Sequence, residues 1–147
     1  MGAEAPMSCK NEIELKSLAA GGCLCGAIRY RIAPGPVRES GYCHCRTCQR
    51  QSGAPAVAFF AVAPGRFDYL KGSPAGLRAS DHATREFCSS CGTYLVFRED
   101  DAAATIAINT ATLDEPALIP PLYHIYHDSR IGWFETADDL PRHARGL

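Results

Sequence analysis

A chain of 147 residues is sized for one domain with a real hydrophobic core. Its formal charge of −1 offers no basic footprint for nucleic acid, and no stretch is long and apolar enough to span a membrane. Composition is ordinary except for eight cysteines, which carry the functional signal.

Residues 1–20 mix small, charged and polar types without a clear period and are expected to form a loosely held tail, with a single domain over residues 21–147. Met7 is a second candidate start, and Cys9 reads as a free thiol. The first twenty residues lack the basic-then-apolar layout of a signal peptide, and a myristoyl signal needs Ser or Thr where Pro6 stands. The expected compartment is therefore the reducing cytoplasm, where clustered cysteines hold metal more often than they form disulfides. Within the tail, "EIELKSLAA" is compatible with a turn or two of helix or with an edge strand.

From Gly21 onward short β-rich runs alternate with Gly and Pro turns. "AIRYRI" sets Ile28, Tyr30 and Ile32 against Ala27, Arg29 and Arg31, the period of a half-buried strand. "PAVAFFAV" is long enough for a buried strand, and "RFDYLKG" puts Phe67 and Tyr69 on one face. "LRAS", "TREFC", "TYLVFRE" and "ATIAIN" continue the series, with "YHIYH" and "GWFE" as two further candidates. Turns are predicted at "APGP", "APGR", "KGSP" and "LDEP", and helical turns only at "CRTCQRQ" and "TADDL". The fold class is all-β with few short helical turns.

The cysteines fall into groups. "GGCLCGA" carries Cys23 and Cys25, and "FCSSCGTY" carries Cys88 and Cys91, each pair followed by a glycine. Residues two apart on a regular strand are about 6.5–7 Å apart. Tetrahedral zinc with Zn–S near 2.3 Å wants sulfurs roughly 3.8 Å apart, so the chain must bend at each pair. Gly26 and Gly92 permit that bend. Two such knuckles make a natural closed four-thiolate site, which contributes folding energy and leaves no room for substrate.

"GYCHCRTCQRQSG" holds Cys43, Cys45 and Cys48, one ligand short of a closed site. The fourth position is either open to water or substrate, or closed by Cys9, His44 or His82. His44 lies between two ligands and would point away from a metal its neighbours bind, as a supporting or surface residue. Arg46, Gln49 and Arg50 suit either an anionic substrate or a solvated turn. His124 and His127 read as packing or surface groups, and Trp133 as core.

Three thiolates leave zinc with a formal charge of about −1, against about +2 with three neutral histidines. Such an ion is a weak generator of hydroxide but can hold a further thiol as a nucleophilic thiolate. Loading both sites with zinc makes the chain more acidic still, since ligating thiols ionise. Zinc deamination requires H-x-E and P-C-x-x-C, and neither pattern is present. No GxSxG, HExxH, Walker or dinucleotide-binding pattern occurs either. Addition to, or elimination from, a carbon–sulfur bond is the chemistry that remains.

The ordered set "GGCLCGAIRY", "GYCHCRTCQRQSG" and "REFCSSCGTYLVF", with the ending "YHIYHDSRIGWFETADDLPRH", resembles the glutathione-dependent formaldehyde-activating enzyme family, which includes centromere-protein-V-like members. The resemblance runs from Gly21 to His143. It implies a zinc-clamped β-tent of twisted antiparallel sheets with two zinc ions per chain. Cys23, Cys25, Cys88 and Cys91 would hold the structural zinc, and Cys43, Cys45 and Cys48 the catalytic one. It further implies a carbon–sulfur lyase or its reverse, similar to S-(hydroxymethyl)glutathione synthase, acting on a small thiol such as glutathione and an aldehyde such as formaldehyde.

Two other functions fit the same residues. One is a non-enzymatic zinc module that binds a protein partner; the other is a thiol-based metal or redox sensor that releases labile zinc on oxidation. The three separate on the second site: exchangeable in an enzyme, closed in a scaffold, released by mild oxidation in a sensor. Oligomeric state is left open, with β-tent edges available to pair.

Overall fold

The computed structural model describes residues 13–147, and period-two patterning yields strands from Ile13 to Ile125. In chain order they are β1 (Ile13–Leu15), β2 (Ala19–Gly22), β3 (Arg29–Ile32), β4 (Gly35–Val37), β5 (Glu39–Cys43) and β6 (Val57–Val62). Then follow β7 (Phe67–Lys71), β8 (Ala75–Leu77), β9 (Ala83–Phe87), β10 (Tyr94–Glu99), β11 (Ile106–Asn109) and β12 (His124–Ile125). One α-helix, α1 (Arg46–Ser52), lies between β5 and β6. Cys9 lies outside the described residues.

Seven strands form a sheet in the order β12-β5-β6-β11-β10-β9-β8; β2-β3-β7 form a second, and β1 pairs with β4. Every pairing is antiparallel except β12 with β5. Those two run parallel because the chain returns to the sheet edge only after a long excursion, which a tight hairpin does not allow.

The two faces of the large sheet have different tasks, and register assigns them. Phe60 opposes Ile108, which opposes Val96, and Val62 opposes Ile106. These side chains pack with Tyr30, Ile32 and Phe67 of the three-stranded sheet in one buried core. The alternate residues Phe59, Ala61, Ala107 and Phe97 line a cavity instead. Cys43, at the end of β5 and opposite Val57, belongs to the cavity face. The α1 turn follows directly.

Several expectations need correction. Residues 13–20 are not a loose tail: β1 and β2 pair within the fold, and Leu15 and Ala19 enter the core. The edge-strand alternative for "EIELKSLAA" therefore applies over Ile13–Leu15. "GWFE" forms no strand, and Trp133 is 76% exposed rather than core, since that segment runs along the surface without a pairing partner. "TADDL" forms no helical turn because the Asp138 carboxylate accepts from the Leu140 amide and from His124. The strand expected at "LRAS" ends at Leu77, where Arg78 turns to pair with Asp100.

β4 and β5 escaped the sequence reading because Pro36 and Gly41 look like turn residues. Gly41 is required by contact: a Cβ there would lie 2.7 Å from the Tyr123 ring and 2.9 Å from its carbonyl oxygen. Gly41→Ala is accordingly expected to cost about 1–3 kcal/mol through overpacking against backbone. A denaturant midpoint with unchanged m-value measures the loss.

Candidate metal centres and the cavity beside them

The two hairpin tips that carry C-x-C and C-x-x-C come from different sheets. Cys23 and Cys25 occupy the turn from β2 to β3, while Cys88 and Cys91 occupy the turn from β9 to β10. Gly26 (φ +81°) and Gly92 (φ +84°) both take the left-handed conformation that closes such turns. The Ile28 amide donates to the Cys23 sulfur at 3.2 Å and the Cys91 amide to the Cys88 sulfur at 3.4 Å. Leu24 N–H also donates to Thr93 Oγ1 at 3.0 Å, tying one tip to the other.

All four Sγ atoms lie within 4.8 Å of one another. Cys23 to Cys25 is 3.7 Å and Cys25 to Cys88 is 3.8 Å, close to the roughly 3.8 Å edge of a zinc–thiolate tetrahedron. A disulfide would bring sulfurs to about 2.05 Å, and none of the described cysteines is so paired. The donor set fits a closed tetrahedral metal site. Hydrogen bonds from the Thr93 hydroxyl and amide pull the Cys91 thiol down to about 5, so part of the site is already biased toward thiolate.

Cys43, Cys45 and Cys48 also converge within 4.8 Å, and no fourth His, Cys, Asp or Glu joins them among the described residues. Cys43 ends β5, Cys45 caps α1, and Cys48 lies in its first turn. The Cys45 sulfur accepts the Cys48 amide at 3.3 Å, as an N-cap side chain does. Gly53, at φ +74°, ends the helix by donating to Gln49 C=O. Hydrogen bonds from the Cys43 and Cys48 thiols hold Cys45 down near 2, while its contact with Cys45 pushes Cys43 far above the thiol range. Three sulfurs so close cannot all be anionic without a cation among them, which is the condition a bound metal satisfies.

The two described candidates for a closing ligand, His44 and His82, lie elsewhere. His44 is buried and turned away, its Nε2 sharing a 2.8 Å hydrogen bond with His124 Nδ1. Burial pushes His44 down to about 4, leaving a neutral ring at neutral pH. His82 is exposed and faces Asp81.

On its open side the three-cysteine cluster meets a cavity of about 530 Å³, with an apolar wall of Val57, Phe59, Ala107 and Phe97. Arg85, from the middle of β9, enters beside the sulfurs, with Nη1 3.4 Å from Cys48 Sγ, 3.2 Å from Gln51 Oε1 and 3.3 Å from the Tyr94 hydroxyl.

Behind the cluster, the C-terminal segment braces the loop. His44 leads to His124, whose Nε2 lies 3.1 Å from Asp138 Oδ1, and Asp138 also meets Arg142. Gln49 donates to the His44 carbonyl at 2.7 Å and to that of Ser129 at 3.2 Å. His124 is thus a buried polar link as well as a packing group, and Gln49 a brace for the loop. Arg46 donates to Gln49 Oε1. Arg85, Tyr94 and Asp138 were missed by sequence reasoning. For Arg85 a signal existed: it shares one face of a strand with Ala83 and Phe87, on the way into the Cys88 knuckle, where a charge is conspicuous.

No helix among the described residues is long and apolar enough to cross a membrane. A solved structure of a protein from Rhodobacter sphaeroides shares the fold with a TM-score of 0.52, at 22% identity over 65% of this chain and 87% of that one. The sequence model of the glutathione-dependent formaldehyde-activating enzymes matches residues 18–129, a span that contains all seven clustered cysteines and Arg85. This chain belongs to the glutathione-dependent formaldehyde-activating enzyme family.

Proposed function

We propose that the protein is a zinc-dependent carbon–sulfur lyase, or the reverse catalyst, working on the adduct of a small thiol and an aldehyde. The observation that carries this reading is the three-cysteine cluster with no fourth ligand among the described residues, opening onto a cavity. In this reading Cys23, Cys25, Cys88 and Cys91 hold a structural zinc, and Cys43, Cys45 and Cys48 hold the second one at the cavity. When bound there, zinc supplies a Lewis-acidic seat that favours the thiolate form of a substrate thiol.

The chain's own residues do the rest. The α1 turn and the His44–His124 brace hold the three sulfurs in place. The wall of Val57, Phe59 and Phe97 excludes water from the reacting sulfur, which keeps it a strong nucleophile. In the synthetic direction the substrate sulfur forms a bond to the aldehyde carbon, and the carbonyl π electrons move to oxygen, which then takes a proton. The lyase direction returns that proton and breaks the carbon–sulfur bond. Glutathione and formaldehyde are the first pair to test, given the family name. A reducing compartment suits the seven thiols unpaired among the described residues.

Cobalt in place of zinc gives the test, because its visible spectrum reports its ligands. Addition of glutathione, and then of a panel of less acidic thiols, is expected to change the spectrum of one of two metals and not the other. The tightest thiol identifies the substrate class. No change with any thiol would mean a closed second centre, and the protein would then be a zinc scaffold.

A further inference from the structure

Arg85 differs from the other arginines of the chain. Arg29, Arg78, Arg98 and Arg142 each meet an Asp or Glu carboxylate and are partly exposed. Arg85 is only 8% exposed and has no carboxylate in ion-pair range among the described residues. An uncompensated buried charge is costly, so a residue held this way needs an anion or a dense set of acceptors. Among its contacts, the atom that ionises on holding a metal is Cys48 Sγ, at 3.4 Å.

The geometry leaves half of the guanidinium unused. Nη1 alone meets Cys48, Gln51 and Tyr94, while Nη2 and Nε have no partner among the described residues, and Arg85 lines the cavity. Its plane is held by the rings of Phe97 and Tyr94, 5.2 and 5.6 Å from the guanidinium carbon. It is also the one Arg or Lys among the residues lining this cavity.

We propose that Arg85 is the residue that makes the Cys43–Cys45–Cys48 centre select an anionic fourth ligand, a thiolate, over a neutral one. The inference rests on the open-centre reading given above. A dication with three thiolates already carries about one negative charge, and a fourth thiolate makes it about two. Without a neighbouring cation that second charge is disfavoured, and a neutral donor competes. Arg85 returns the total to about one negative charge and presents its free edge to the incoming ligand. It acts as a positioning and charge-balancing residue.

The test uses the full-length cobalt-substituted protein as wild type, Arg85→Met and Arg85→Lys, titrated at one pH with 2-mercaptoethanol and separately with imidazole. Arg85→Met is expected to weaken thiol binding about tenfold to a hundredfold, the size of one unit charge several ångströms away in a partly buried site. Imidazole binding should stay within about twofold, and Arg85→Lys should recover part of the thiol affinity. Equal thiol affinity in wild type and Arg85→Met, or equal weakening of thiol and imidazole, overturns the inference while leaving the open centre intact. A wild type that responds to neither ligand overturns the open-centre reading and this inference together. Should Arg85→Met fail to fold, Arg85→Gln, which keeps hydrogen-bond donors and removes the charge, decides: weakened thiol binding with imidazole binding unchanged supports the role of the charge, and unchanged thiol binding overturns it.

Discussion

Cys88→Ala is expected to leave no cooperatively folded protein. Cys88 is fully buried at the tip of the β9–β10 hairpin, and its sulfur stands 3.8 Å from that of Cys25 in the β2–β3 turn of the other sheet. The four-cysteine site therefore ties the three-stranded sheet to the seven-stranded one at a point where backbone pairing does not. Structural zinc sites contribute apparent binding energies of about 10–16 kcal/mol, comparable to or larger than the roughly 5–15 kcal/mol net stability of a domain. Losing one of four ligands forfeits much of that and leaves three thiols to be solvated or oxidised. The expected result is a far-UV spectrum without strand signal, or aggregation, and the same loss when the unsubstituted protein is treated with a strong chelator. A Cys88→Ala protein that unfolds cooperatively within a few degrees of wild type would show that the hydrophobic core alone carries the fold.

The parts of this structure that sequence reveals are those whose physics is local. Two cysteines separated by one or two residues and followed by glycine specify a knuckle, because the sulfurs must approach within bonding distance of one ion. That logic led to the four-cysteine cluster with Gly26 and Gly92, and close C-x-C-x-x-C spacing led to the three-cysteine one. Alternation in "AIRYRI" likewise led to Tyr30 and Ile32, both fully buried. What stayed hidden depends on distance along the chain. The His44–His124–Asp138 link joins residues 80 and 14 positions apart, and nothing near any of them in sequence announces the others. β5 was masked by Gly41, whose missing side chain makes room for Tyr123 far downstream. Arg85 stands out as a charge on the Ala83–Phe87 face of its strand, but nothing near it in sequence says what that face meets. Here that face of the sheet is the cavity, and its environment is decided by Tyr94, Phe97 and Cys48.

Cys45→Ser is expected to lower turnover of a thiol–formaldehyde adduct at least about a thousandfold while leaving the fold in place. The serine oxygen is a poorer partner for zinc than a thiolate, so the second metal is lost or loosely held. Yet serine is among the best N-cap residues, and its hydroxyl can accept the Cys48 amide that Cys45 Sγ now accepts at 3.3 Å. Cys45→Ala should be equally inactive but about 1 kcal/mol less stable, because it removes metal ligand and cap together. Metal analysis should find close to one zinc per chain in both variants, and thermal unfolding should separate them by a few degrees. The comparison isolates the two tasks of one residue: sulfur for the metal, an acceptor for the helix. If Cys45→Ser instead aggregates as Cys88→Ala is expected to, the second centre also holds the fold together. The cavity side of the sheet would then be structural, and the division between a closed structural site and an open catalytic one would fall.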